Sequence, residues 1–265
     1  MSRKLFQLFQ RARHENKTLF LPYVCVGFPS YSASRAAAQG ALEAGASVLE
    51  LGMPFSDPIA DGPTLQAATH YALSHGTRFA DVFRLIRDLR KKNYRQPLLV
   101  MTYLNLVERV GGERFAKELA EAGGDGAIIP DLPLEEFPGL KTSLGQKGLS
   151  LIPFIAPTSS EDRVKKADAQ AAPFLYYVSV TGVTGARKGL PPQLLGALRR
   201  LRQQLKTPLV VGFGISTPGQ AAQVGRVADG VIIASALVQL ISKAKVSEIG
   251  KTAERFCRQV VNALK

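Results

Sequence analysis

Apolar strand-like runs and helical runs alternate eight times along this chain, with no linker or low-complexity stretch between them. The first run, Leu19–Val26, is β-rich and stops at Gly27. An alanine-rich helical stretch, Ser32–Ala44, follows it and ends at Gly45, the residue type at which helices commonly terminate. The later strand spans read Val48–Leu51, Pro97–Tyr103, Gly126–Pro130, Leu149–Phe154, Phe174–Val180, Leu209–Gly212 and Gly230–Ile233. The helical spans between them read Phe79–Lys92, Glu113–Ala122, Leu134–Gln146, Glu161–Ala169, Gln193–Leu205 and Pro218–Gly225, with helices continuing to Lys265. Such alternation predicts an α/β fold built on a parallel sheet. The strand runs are short and continuously apolar, as strands buried on both faces read. At 265 residues, the span 1–265 fits one (β/α)8 TIM barrel domain. An open doubly wound sheet would want a G-x-G-x-x-G turn after the first strand, and the chain has Gly27-Phe28-Pro29-Ser30 there.

In a barrel, chemistry sits where strands end and the following loops begin. The loop after the second strand stands out: Leu49-Glu50-Leu51-Gly52-Met53-Pro54-Phe55-Ser56-Asp57-Pro58-Ile59-Ala60-Asp61-Gly62. Glu50 interrupts an apolar run, and a carboxylate there is costly to bury without a partner or a task. Eleven positions separate it from Asp61, enough for the chain to fold back and aim both acids at one cleft. Two carboxylates in different surroundings can divide acid and base duties. The plainer reading of the same residues pairs Glu50 with a basic side chain and leaves the loop acids to cap a helix or face water.

Late in the chain the loops turn glycine-rich: Thr181-Gly182-Val183-Thr184-Gly185, then Gly212-Phe213-Gly214-Ile215-Ser216, then Ala234-Ser235-Ala236 at a helix start. Glycine lets backbone N–H groups approach an anion, and a helix N-terminus favours negative charge. Barrels commonly hold phosphate with the loops after strands seven and eight. The aromatics Tyr23, Tyr103 and Tyr176, taken singly, read as core.

Composition narrows the alternatives. A net charge of +13 raises nucleic acid as a partner, but the basic residues are spread along helices without the exposed aromatics a single-strand binder needs. No apolar run reaches the length of a membrane span. Cys25 and Cys257 lie far apart and read as reduced thiols, and they form no metal-ligand spacing with His14, His70 and His75. The first seventeen residues are basic, with Glu15 their only acid, and hold Leu5, Phe6, Leu8 and Phe9. They resemble a targeting segment in composition, but run straight into the first strand and are expected to form an amphipathic helix closing the barrel's bottom.

The fourteen-residue string closely resembles the signature of the tryptophan synthase alpha chain family. The resemblance extends from Lys17 to Ile241 through Pro22-Tyr23-Val24, Pro130-Asp131-Leu132-Pro133, Glu135-Glu136 and the glycine loops. It implies a lyase performing retro-aldol cleavage of indole-3-glycerol phosphate to indole and glyceraldehyde 3-phosphate in tryptophan biosynthesis. Glu50 would shuttle the proton, and Asp61, in a polar loop, would stay ionised and hold the indole N–H. Tyr23, Tyr103, Tyr176 and Thr184 would bind substrate, and Gly185, Gly214, Ala234 and Ser235 its phosphate. Two positions depart from the family pattern: Ala234 replaces a usual glycine, and Tyr103-Leu104-Asn105-Leu106 replaces Tyr-x-Asn-Pro in a loop expected to face a partner. Those departures keep alive a weakly catalytic alpha-like subunit that mainly activates its partner. By the same resemblance the chain itself carries no cofactor or metal. Its partner would be a pyridoxal phosphate-bearing beta chain, in a cytoplasmic alpha2beta2 heterotetramer, reached through Met53–Pro58 and the region of Asn105. A phosphosugar isomerase would share the phosphate loops but gives no reason for the Glu50…Asp61 string.

Overall fold

The computed structural model describes residues 1–178, 190, 193–212 and 214–265. Its elements run α1 (Arg3–His14), β1 (Leu19–Cys25), α2 (Tyr31–Glu43), β2 (Leu49–Gly52), α3 (Pro63–Ser74), α4 (Phe79–Lys91) and β3 (Leu98–Met101). Next come α5 (Leu104–Val110), α6 (Gly112–Ala122), β4 (Gly126–Ile128), α7 (Phe137–Gln146), β5 (Ser150–Ile152), β6 (Phe154–Ile155) and α8 (Glu161–Gln170). The last are β7 (Leu175–Val178), α9 (Leu194–Gln204), β8 (Leu209–Gly212), α10 (Pro218–Gly225), β9 (Gly230–Ile233), α11 (Ser235–Lys243) and α12 (Ile249–Ala263).

All described strand pairs are parallel, in the order β5-β4-β3-β2-β1-β9-β8-β7-β6. The two ends of that order, β5 and β6, are separated in the chain by Pro153 alone. Proline brings no N–H to a ladder, so the single span Leu149–Phe154 expected from the sequence is divided there. Its first half pairs with β4 and its second with β7, while Pro153 O accepts from Tyr176 N–H at 3.0 Å. The two pieces thus form one of eight staves, and the parallel sheet closes into a TIM barrel.

Inside and outside follow the strand period of two. In β1, Leu21, Tyr23 and Cys25 join the inner cluster, while Phe20 and Val24 pack outward against the helices. In β2, Leu49 and Leu51 face outward. Glu50 between them must therefore point into the barrel. Leu99, Ile128, Ile152, Phe174, Val210 and Ile232 fill the interior.

From below, α1 seals that interior as its amphipathic pattern predicts. Leu5 and Phe9 are buried, and the Phe9 ring stacks on Phe174 at 4.9 Å. Ser2 caps the helix, accepting from Leu5 N–H, and its hydroxyl donates to Asp125 at 3.0 Å. Asp125 is buried and also accepts from Arg90 Nη2 at 2.7 Å and Leu98 N–H at 3.0 Å. This one carboxylate ties the seal to the start of β3. Asp125→Ala would strand the half-buried Arg90 and the Leu98 N–H, and is expected to cost about 3 kcal/mol in urea unfolding.

Two helices lie in stretches to which the sequence reading assigned none. α3 follows the acidic string, its start set by Pro63 in the first turn. α5 takes in Asn105 and Leu106, the stretch expected to be an irregular loop. A leucine continues a helix that a proline would open only at its first turn, so the Leu106 departure is absorbed by secondary structure.

Candidate active site

A cavity opens at the C-terminal ends of the strands. Glu50, Asp61, Tyr23, Tyr176, Gly214, Ala234 and Ser235 all line it. Seven of the positions singled out in the sequence therefore meet in one place. Thr184 and Gly185 lie outside the described residues. Tyr103 does not line the cavity. It stands behind Asp61, with its hydroxyl accepting from Ala60 N–H at 3.3 Å and its ring stacked on Phe55 at 5.2 Å.

The two acids sit in unusual surroundings. Glu50 is 1% exposed, and burial, with the Asp61 charge adding to it, pushes its carboxyl up to about 8. Among the described residues, no cation pairs with it. Glu50 Oε2 and Asp61 Oδ1 are buried without a hydrogen-bond partner among the described residues, where no ion pair of Glu50 is found. Buried acceptors left open in this way are rare, and in a cavity they read as places for a ligand's donors.

Asp61 departs from expectation. The sequence placed it in a polar loop, ionised; the chain buries it to 6% exposure. Its turn is closed by Asp61 N–H donating to Pro58 O at 2.9 Å, and Gln66 Nε2 donates to Asp61 O at 2.9 Å. Burial pushes the carboxyl up to about 7, against a lowering pull from the Tyr103 hydroxyl. Both carboxyls are thus pushed up toward neutral pH, Glu50 further than Asp61.

The aromatic walls are set by one device used twice. Tyr23 pairs in register with Glu50, and two residues on, Gly52 leaves room for its ring. Tyr176 pairs with Val210, and Gly212 stands in the same relation to it. A Cβ at Gly52 would lie 2.6 Å from Tyr23 Cε2, and one at Gly212 would lie 2.6 Å from Tyr176 Cε1. Gly52→Ala is accordingly expected to displace the Tyr23 ring. It should cost about 2 kcal/mol of stability by overpacking and raise KM more than it lowers kcat, read from steady-state kinetics beside a thermal melt. Phe154 braces Tyr176 from behind, stacked at 4.5 Å.

On the opposite wall, Gly214 adopts φ +79°, a conformation glycine reaches without cost. Ala234 precedes α11 with φ −113°. A negative φ suits alanine, so the departure from glycine imposes no strain there. Val238 N–H is taken up by Ala234 O at 3.1 Å, and the N–H groups of the first turn before it have no partner within the helix. That turn faces the cavity through Ser235 and Ala236. Sequence reasoning missed Leu65, Met101 and Ile232 in the lining. Met101 and Ile232 were legible as inward positions of their strands; Leu65 belongs to the unforeseen α3. Among the described residues, no group of three or more His, Cys, Asp or Glu is placed to hold a metal. Nor is any described helix long and apolar enough to cross a membrane.

The family model described as "Tryptophan synthase alpha chain" matches residues 9–264. A tryptophan synthase alpha chain from Chloroflexus aggregans is 45% identical over 260 residues, covering 98% of this chain and 97% of the relative. One from Aquifex aeolicus is 42% identical over 249 residues, covering 94% and 95%. Among solved structures, tryptophan synthase subunit alpha from Legionella pneumophila superposes with a TM-score of 0.90 at 34% identity, covering 100% of this chain and 98% of that one.

Proposed function

This chain belongs to the tryptophan synthase alpha chain family, the indole-3-glycerol phosphate lyases of tryptophan biosynthesis, and from that premise we propose that Glu50 and Asp61 carry out the cleavage. One observation supports this most: two buried carboxylates with open oxygens share a cavity whose far wall is a helix N-terminus.

The chemistry divides between them as their surroundings suggest. Glu50, protonated near neutral pH, donates its proton to the ring carbon that bears the glycerol chain. Positive charge then develops across the ring toward its nitrogen. Asp61 accepts the ring N–H; that hydrogen bond favours the ionised carboxylate against the upward push of burial. The Glu50 carboxylate takes the proton of the adjacent hydroxyl as the carbon–carbon bond breaks. Indole and the aldehyde of glyceraldehyde 3-phosphate result, and Glu50 is protonated again. Tyr23 and Tyr176 flank the ring, while Tyr103 positions Asp61 instead of touching substrate. Backbone N–H groups at Gly214, Ala234 and Ser235 take the phosphate, where the dipole of α11 favours it. Thr184 and Gly185 complete the substrate site in this reading, on the strength of the family resemblance.

A beta chain is the partner the family implies, and we place pyridoxal phosphate there and none in this chain. The contact surface is the loop from Met53 to Pro58 with its neighbours. Ile59 is 79% exposed on it, an apolar side chain of the kind interfaces cover. An alpha2beta2 assembly in the cytoplasm follows from the same family reading. Assaying the purified chain with indole-3-glycerol phosphate, with and without a beta chain, tests the activity. A crystal soaked with a glycerol-phosphate-bearing indole tests the site: the phosphate is expected at Gly214 and Ser235, and a phosphate elsewhere overturns the assignment.

A further inference from the structure

The underside of the barrel, where the strands begin, carries a second concavity. A groove of about 1120 Å³, open to solvent, runs between the end of α1, the end of α9 and the turn after α10. It brings Arg13, Lys17, Arg199, Arg202 and Arg226 together around a single lining carboxylate, Asp229. That carboxylate is already occupied. Arg13 Nε reaches it at 3.2 Å, Arg202 Nε at 2.9 Å and Leu209 N–H at 2.7 Å. Arg13 Nη1 also donates to Lys206 O at 2.7 Å. Two guanidiniums are thereby held side by side at little further entropic cost to a ligand. Positive charge remains in excess. Among the described residues, Arg13 Nη2 is buried without a partner, and Lys17 pairs only with the exposed Glu15. Arg199 lies one turn before Arg202 on α9, and both Arg199 and Arg226 are exposed, with no ion pair among the described residues.

Cations at helix C-termini are ordinary, since they complement the helix dipole. That accounts for a cation at each helix end, not for five facing one groove. Four of the five are arginines, whose forked donors match phosphoryl oxygens two at a time. Among the described residues, no aromatic side chain lines the groove to stack a nucleic-acid base. From this juxtaposition we propose that the groove binds a phosphate-chain anion, of which inorganic tripolyphosphate is the simplest representative. It lies at the opposite end of the barrel from Glu50 and Asp61, so binding and cleavage occupy separate sites.

Calorimetric titration of the full chain with tripolyphosphate at low salt tests this, with excess glycerol 3-phosphate present to fill the mouth. A saturable site is expected that weakens as salt rises. The double variant Arg199→Gln/Arg226→Gln should bind at least about tenfold more weakly, with lyase activity and melting temperature unchanged, because both side chains are exposed. The control double variant Lys91→Gln/Lys92→Gln, at the end of α4, should bind as the parent does. Single inorganic phosphate should bind more weakly than the chain of three. The proposal fails if Arg199→Gln/Arg226→Gln binds normally, if the control loses affinity equally, or if glycerol 3-phosphate abolishes the binding. It also fails if an oligothymidylate of equal charge binds the groove more tightly than tripolyphosphate, which would make the surface a nucleic-acid site.

Discussion

Glu50→Gln is expected to lower kcat by about a thousandfold or more while leaving substrate affinity within a few-fold. Glutamine keeps the shape and can still donate a hydrogen bond, but it cannot give up and recover a proton. Single-turnover kinetics beside a direct binding measurement separate the two effects; retained turnover would remove Glu50 from the chemistry. The same variant carries a stability signature of opposite sign. The Glu50 carboxyl stands at about 8 in the folded chain against an ordinary value of 4.5, so the folded state holds the proton more tightly than the unfolded one. Stability from this group is therefore complete below its ordinary value and is lost as pH rises through about 8. Glu50→Gln, which stays neutral throughout, should unfold at higher denaturant than the parent above that pH. The gap should close in acid. An enzyme that becomes sturdier as it becomes inactive is what a strained catalytic acid predicts.

Asp61→Asn is expected to cost about a hundred- to a thousandfold in kcat, the scale of losing one group aimed at developing charge. Asparagine can still accept the ring N–H through its carbonyl, but it brings no negative charge to the positive ring. The pH profile gives the sharper test. In the proposed mechanism Glu50 must be protonated in the parent, so activity is expected to fall as pH rises through its value near 8. Asp61 must be ionised, so activity also falls on the acid side, at a pH below its unliganded value of about 7 once the substrate N–H is bound. Removing the Asp61 charge withdraws the second cause of the upward shift at Glu50. The alkaline limb of the residual activity should therefore move to lower pH, and the acid limb should disappear. An unchanged alkaline limb would mean the two carboxyls do not sense each other.

How much of this was legible beforehand follows from what each feature depends on. The eight-stave barrel rests on local alternation, which any reader of Leu19–Val26 or Gly230–Ile233 can see. Glu50 announced itself because a charge inside an apolar run has few explanations. Asp61 was expected to share a cleft with Glu50 and lines the same cavity, but it is buried where a polar loop was expected. Its burial depends on how the turn at Pro58 and the start of α3 fold over it, contacts not written in neighbouring residues. Tyr103 shows the same limit. The resemblance put it against substrate, whereas its hydroxyl and ring serve the loop that carries Asp61. The division at Pro153 was visible as a proline, but its meaning appears only once β4 and β7 stand on either side. Nothing local marked the Tyr23–Gly52 and Tyr176–Gly212 pairs, because each joins two neighbouring staves.

The seal beneath the barrel has a bearing on how the chain reaches its fold. Ser2 is fastened to Asp125 and Ser150, 123 and 148 positions further along. The α1 helix therefore has no berth until the chain through Ser150 is in place. Until then Leu5 and Phe9 are sticky and unsheltered, so α1 must settle after segments that follow it in the sequence.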